Sequence, residues 1–135
     1  MISSGAPISV VLRSSEDVVL LRQRVREGAV RLRFSLLEQT KMVTAASELG
    51  RNAVTYAGGG EATVEPCVSG GRAGLVVTVV DHGPGIPNIA EAMRPGFSTG
   101  GGLGLGLSGT RRLVDEFEIK SEVGQGTTVR IVQWK

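Results

Sequence analysis

Among its 135 residues the chain has one cysteine, one histidine, one tryptophan and one tyrosine, and aromatics reach only 4%. A lone thiol, Cys67, excludes an intrachain disulfide and favours a reducing compartment. The sequence offers no partners for thiol catalysis, so Cys67 reads as a small apolar strand residue. No aromatic is interleaved with the arginines, which argues against stacking on single-stranded nucleic acid. Neither sign of charge dominates: 15 basic against 13 acidic residues give a net +2, too little to indicate nucleic acid. No window approaches the roughly 18 consecutive apolar residues of a membrane span. The N-terminal MISSGAPISVVLRSS has no basic segment leading into a long apolar run, so no signal peptide is expected. A cytoplasmic protein that binds neither membrane nor nucleic acid is the expectation.

Glycine, by contrast, is abundant. The chain has 20 glycines, roughly twice the share expected from an average usage of about 7%. They cluster at 58–60, 70–74, 83–85 and 96–109, marking particular loops. The hydrophobic share of 41% and charged share of 21% are ordinary for a globular protein. The length suits one domain, residues 1–135, with one core. The arginines are unevenly spread: RQRVREGAVRLR carries Arg22, Arg24, Arg26, Arg31 and Arg33. A solvated helix face and a docking surface for an acidic protein partner both account for that run.

ISVVL at 8–12 predicts a short strand. Ser15 is the expected cap of a helix over 16–33, with Glu16 and Asp17 in its first turn. Ser35-Leu36-Leu37-Glu38 fits a capping box that opens a second helix running to about Tyr56. Leu36, Leu37, Met42, Val43, Ala46 and Leu49 form its expected apolar face, and AGGG at 57–60 stops it. Strands over 61–68 and 73–81 follow, joined by a hairpin at SGGRAG. Residues 82–102 have no pattern of a regular element. A third helix over 103–117 and strands over 118–123 and 126–134 close the chain. This order predicts an α/β sandwich with helices on one face of a mixed, mainly antiparallel sheet.

Three constellations carry chemistry. Glu48 and Asn52 lie four apart on the second helix, so they share a face. The small neighbours Ala45, Ala46 and Ala53 would let a ligand approach closely. An amide oxygen suits Mg²⁺, which takes few protein ligands. A carboxylate one turn away can accept a proton from an attacking hydroxyl or water. The second constellation is DHGPGIP, residues 81–87. A strand-end carboxylate accepts a hydrogen bond from the exocyclic amine of adenine and repels the carbonyl that guanine shows there. Gly83 and Gly85 would let the backbone lie against the flat ring.

The third constellation is GFSTGGGLGLGLSGTRR, in which six of the ten residues from Gly100 to Gly109 are glycine. Its formal G-x-G-x-x-G has no strand immediately before it, so a Rossmann turn is excluded. The Walker pattern is absent, as are the lysine and His-Arg-Asp motifs of eukaryotic-type kinases. What remains is glycines entering a helix start, where free N–H groups and the helix dipole attract phosphate. Leu103, Leu105 and Leu107 would anchor that turn to the core.

The order E-x-x-x-N, D-x-G-x-G, G-x-G-x-G and finally G-x-G-T at Gly124 to Thr127 resembles the Bergerat-fold (GHKL) ATPases shared by gyrase, Hsp90, histidine kinases and the MutL repair proteins. The resemblance runs from about residue 35 to the end and implies a two-layer α/β sandwich that binds ATP with Mg²⁺. It implies that Asn52 holds Mg²⁺, that Asp81 binds the adenine amine, and that Gly102, Gly104 and Gly106 face the phosphates. Gly83, Gly85, Ile86, Gly100, Gly101, Leu103, Leu105, Leu107 and Thr127 complete the implied nucleotide set. Residues 86–102 would form the ATP lid.

Gyrase, Hsp90 and MutL relatives need further domains, and the only histidine, His82, lies inside the adenine loop rather than on a dimerisation helix. ELGRNAVTYAG, DHGPGIPNIAEAMRPGFSTGGGLGLGLSGTRRLVDEF and GQGTTVRIVQWK are similar to the small stand-alone serine/threonine kinases of the anti-sigma-factor group that serve the stressosome. Such kinases phosphorylate serine or threonine on STAS-domain stressosome proteins. Once released, they activate a PP2C-type phosphatase upstream of a stress sigma factor. The resemblance makes Glu48 the catalytic base and assigns no role to the matching Arg51. The alternative is a nucleotide-gated binding protein, an anti-sigma factor or phosphatase activator with little catalysis.

Overall fold

The computed structural model describes residues 1–94 and 106–135. Their order is β1 (Ile2–Ser3), β2 (Ile8–Leu12), α1 (Ser15–Arg31), α2 (Leu36–Ala57), β3 (Gly60–Ser69), β4 (Arg72–Asp81), α3 (Ile89–Ala92), α4 (Gly106–Leu113), β5 (Glu116–Glu122) and β6 (Gly126–Trp134). The sheet order is β1-β3-β4-β6-β5, with β2 also pairing with β3. Where a mixed, mainly antiparallel sheet is expected, every pairing between described strands is antiparallel.

Alternation along the strands sorts side chains between the faces. Ala62, Val64, Leu75, Val77, Val79, Val129 and Ile131 join Leu21, Val25 and Ala29 of α1 and Met42, Ala46 and Leu49 of α2 in the main core. On the opposite face a smaller cluster holds Cys67, Val76 and Val132, with Trp134 against it. Cys67 is a buried free thiol, and its burial pushes the thiol pKa up, in keeping with a packing residue. The ring of Trp134 lies where a side chain at Gly74 would stand, and its indole N–H donates to Glu116.

The helix ends follow local chemistry. Ser35 caps α2 as expected: its hydroxyl accepts the Glu38 N–H at 3.1 Å, and the Glu38 carboxylate accepts the Ser35 N–H at 2.7 Å. The cap of α1 is Ser14 and not Ser15, because the Asp17 carboxylate reaches back to the N–H groups of Ser14 (3.0 Å) and Arg13 (2.7 Å). Helix α1 ends at Arg31, where the N–H of Phe34 bonds the carbonyl of Ala29 and that of Arg33 bonds the carbonyl of Val30. This closing turn places Arg33 at φ +60°, the one non-glycine with positive φ among the described residues.

Several expectations fail where tertiary contacts override local pattern. Leu36 and Leu37 are 73% and 63% exposed, since the first turn of α2 runs past the edge of the core. The helix expected over 103–117 stops at Leu113. Asp115 N–H instead bonds the Val132 carbonyl, and Glu116 opens β5 opposite Val132. The alternation in EFEIKSE was the signal for the earlier strand start. Within the stretch read as irregular, Asn88 caps the short α3 by accepting the Glu91 N–H at 3.0 Å.

The left-handed backbone at Arg33 costs a residue with a Cβ about 1 kcal/mol that glycine does not incur. Arg33→Gly is therefore expected to stabilise the protein by about 1 kcal/mol, raising Tm by roughly 3–5 °C in a thermal melt.

Candidate functional site

The chemistry-bearing residues come from three places: the C-terminal half of α2, the end of β4, and the β5–β6 turn. Register decides the meeting of the last two. Asp81 lies opposite Thr127, and Thr127 lies opposite Ser121, so the three residues stand side by side on adjacent strands. Oδ1 of Asp81 accepts two backbone hydrogen bonds, from Gly83 at 3.0 Å and from Thr127 at 3.2 Å. Bonds from N–H to a carboxylate are worth roughly 1.5–3 kcal/mol each, so the Asp81 carboxylate is held in one orientation. No described residue bonds its second oxygen, Oδ2.

Ser121, absent from the sequence-based set, is the joint of this arrangement. Its hydroxyl accepts the Ile86 N–H at 2.8 Å, contacts the Gly126 carbonyl at 3.1 Å and lies 2.8 Å from the Thr127 hydroxyl. A hydroxyl has one proton and two lone pairs. All three contacts are met if Ser121 donates to Gly126 while accepting from Ile86 and Thr127. The loop after β4 is thereby pinned to the β5–β6 turn. Pro84 adds a backbone link, its carbonyl accepting the Gly124 N–H at 2.9 Å.

The glycines of this loop are required by protein neighbours. A Cβ on Gly83 would stand 2.5 Å from Cβ of Ala57, and one on Gly85 would stand 2.2 Å from the carbonyl oxygen of Glu122. Gly85 also has φ +79°. These close approaches are to α2 on one side and β5 on the other. Gly83 stands against Ala57, so the turn after β4 meets the C-terminal end of α2.

On α2, Glu48 is only 7% exposed, and Asn52, one turn further, is half-buried. Arg51 supplies the ion pair for Glu48, with Nη1 2.7 Å from Oε1. The pair is asymmetric: the Glu48 side chain is inside, and that of Arg51 is mostly in water. Ala45, Ala46 and Ala53 are buried in the core, so their small size serves packing and not ligand access. Helix α4 packs on α2. Its first residue, Gly106, has φ +69°, and its carbonyl accepts the Thr110 hydroxyl at 2.9 Å. Leu107 packs against the main core. Gly100, Gly101, Gly102, Leu103, Gly104 and Leu105, together with most of the lid's second half, lie outside the described residues.

The chain belongs to the histidine kinase-, DNA gyrase B- and HSP90-like ATPase family, whose pattern matches residues 38–135. It is 45% identical over 118 residues to the serine/threonine-protein kinase RsbT of Bacillus subtilis (strain 168), covering 87% of this chain and 89% of that protein. It is 30% identical over 129 residues to an anti-sigma F factor of Thermoanaerobacter sp. (strain X514), covering 91% of this chain and 89% of that one. Among solved structures, the RsbU and RsbW domains of Rv1364c from Mycobacterium tuberculosis superpose with TM-score 0.66 at 20% identity, over 96% of this chain and 32% of that one. That likeness concerns the fold.

Removing the Ser121 hydroxyl leaves the Ile86 N–H without its partner and frees the loop from the β5–β6 turn. Ser121→Ala is expected to lower unfolding stability by about 1–2 kcal/mol in a urea titration and to speed amide hydrogen exchange at Ile86. Unchanged exchange there would show that Ser121 does not hold the loop.

Proposed function

We propose that this chain is an ATP-dependent serine/threonine-protein kinase of a partner-switching stress pathway, acting in the cytoplasm as one domain spanning residues 1–135. Its substrates are serine or threonine hydroxyls of STAS-domain stressosome proteins. After release from them it activates a PP2C-type phosphatase upstream of a sigma factor. The 45% identity with RsbT supports the kinase class. One observation of geometry supports the reading: Gly83 stands against Ala57, so the turn after Asp81 meets the C-terminal end of the helix that bears Glu48 and Asn52.

The residues fit ATP. Asp81 is fixed through Oδ1 and keeps Oδ2 for an adenine amine. Thr127, Gly83, Gly85 and Ile86 would frame that end of the site, and Gly102, Gly104 and Gly106 would face the phosphates. Mg²⁺ suits an amide oxygen, since it takes few protein ligands and leaves its other positions to phosphates and waters. Asn52 would be its protein ligand, and the ion would offset the charge on the β- and γ-phosphates. In the transfer, the substrate hydroxyl oxygen bonds to the γ-phosphorus while the bond from that phosphorus to the β–γ bridging oxygen breaks, releasing ADP. Glu48 takes the hydroxyl proton. Arg51 positions Glu48 through their ion pair.

Asp81→Asn tests the base reader. The amide can keep its oxygen on the Gly83 and Thr127 N–H groups, which turns its NH₂ outward where Oδ2 was. An outward donor opposes the adenine amine and suits the guanine carbonyl. Calorimetry is expected to show weaker ATP binding and a shift of preference toward GTP.

Glu48→Gln separates the kinase from the nucleotide-gated binder that the anti-sigma F relatives favour. Size and the Asn52 ligand are retained, so ATP and Mg²⁺ binding should persist. Phosphate transfer to a STAS-domain serine should fall by roughly 10²–10⁴-fold. Full transfer by the variant would remove Glu48 as base, and no transfer by the wild type to any STAS partner would favour the binder.

A further inference from the structure

The hydrogen bonds around Ser121 fix more than a loop. Asp81, Thr127 and Ser121 stand side by side on adjacent strands. They alternate in phase with Val79, Val129 and Ile119, which pack in or against the main core, so all three side chains share the helix-facing side of the sheet. All three are half-buried, within reach of a ligand. The Gly126 carbonyl only accepts, so the one Ser121 proton goes to it, at 3.1 Å. The Ile86 N–H only donates, and it occupies one Ser121 lone pair, at 2.8 Å. The second lone pair is left for Thr127, 2.8 Å away, whose hydroxyl must then be the donor. Ile86 is already joined to Gly126 without that third bond. What the third bond settles is the direction of the Thr127 proton. The N–H groups of Gly83, Ile86 and Thr127 and the hydroxyl protons of Ser121 and Thr127 are thus all spent inside the protein. The lone pairs of Thr127 and the second oxygen of Asp81 are what remains to meet a ligand.

We infer that Ser121 is a specificity-determining positioning residue of the nucleotide site: by taking the Thr127 proton it leaves Thr127 as a second acceptor beside Asp81, which admits a 6-aminopurine and rejects a 6-oxopurine. The inference rests on the nucleotide reading given above. A 6-amino group carries two hydrogens to donate, and two neighbouring acceptors, met directly or through a water, suit it. A carbonyl at C6 brings lone pairs against lone pairs, and none of those five protons is free to turn toward it. The Asp81 carboxylate alone is a weaker filter, because a neighbouring hydroxyl free to rotate would donate to the carbonyl. Ser121 removes that freedom. A site discriminates strongly when the wrong ligand leaves its polar groups unpaired, and a fixed proton direction creates that condition here. Ser121 acts through Thr127, without contact to the base.

The test is calorimetry on the full chain with Mg–ATP and with Mg–inosine triphosphate, which exchanges the 6-amino group for a carbonyl and lacks the 2-amino group of guanine. The wild type should prefer ATP. Ser121→Ala frees the Thr127 proton to meet the carbonyl and should narrow that preference by about fivefold or more. Thr127→Val has no proton to redirect, so adding Ser121→Ala to it should leave the ratio of affinities where Thr127→Val alone puts it. Ser121→Cys keeps the shape with a weak acceptor and should shift the ratio in the same direction. It supplies the readout if the alanine variant does not fold. An equal loss of affinity for both nucleotides in Ser121→Ala would show that the serine only holds the loop, and would overturn the inference. So would the same change of ratio in the Thr127→Val background, or a wild type without preference. Each of these results leaves ATP binding by the wild type intact, whereas a wild type that binds neither nucleotide would overturn the nucleotide reading as well.

Discussion

The pairing of β4 with β6 is the constraint on which the site depends. That ladder sets Asp81 opposite Thr127, so one carboxylate oxygen can take both a cross-strand N–H and the N–H of Gly83 in its own turn. A slip of one residue would move Asp81 to the other face of the sheet, away from the helices. The register is secured by burial, because Val77 and Val79 of β4 and Val129 and Ile131 of β6 must face α1 and α2 together. The hydrophobic core therefore also sets the orientation of a polar site residue.

Around that carboxylate, the site is assembled from close backbone approaches. Gly83 meets Ala57, Gly85 meets Glu122, and a Cβ on Gly126 would stand 2.1 Å from the carbonyl oxygen of Asp81. Ser121 ties these segments through its single hydroxyl. A glycine-dense loop would otherwise cost much conformational entropy to order. Here much of the cost is offset by protein contacts within the described half of the loop. The helix side is arranged differently, with Glu48 kept from water and tethered to an arginine that remains in it.

The two faces of the helix layer have separate characters. Toward the sheet, α1 presents Val18, Leu21, Val25 and Ala29, all buried. Away from it, α1 presents unpaired arginines and two exposed valines. Glu48 and Asn52 lie on the C-terminal half of α2, away from this outer face of α1.

Spacing alone determined that Glu48 and Asn52 share a helix face, because four residues make about one turn whatever surrounds them. The Ser35–Glu38 cap, the hairpin at Gly70 and Gly71 and the carboxylate ending β4 were legible for the same reason: each is settled within a few residues. The Asn88 cap of α3 and the alternation beginning at Glu116 are equally local signals. The Arg51 ion pair, at i and i+3 from Glu48, was within local reach as well. Tertiary structure alone decided the contacts between distant segments. The Ile86–Ser121 bond spans 35 residues and the Thr127–Asp81 bond 46. Neither follows from local preference, since each exists only once strand register is fixed. The exposure of Leu36 and Leu37, the protein neighbours of Gly83 and Gly85 and the early end of α4 were decided in the same way. In each case the outcome depends on which surface arrives opposite, and a linear pattern does not specify that.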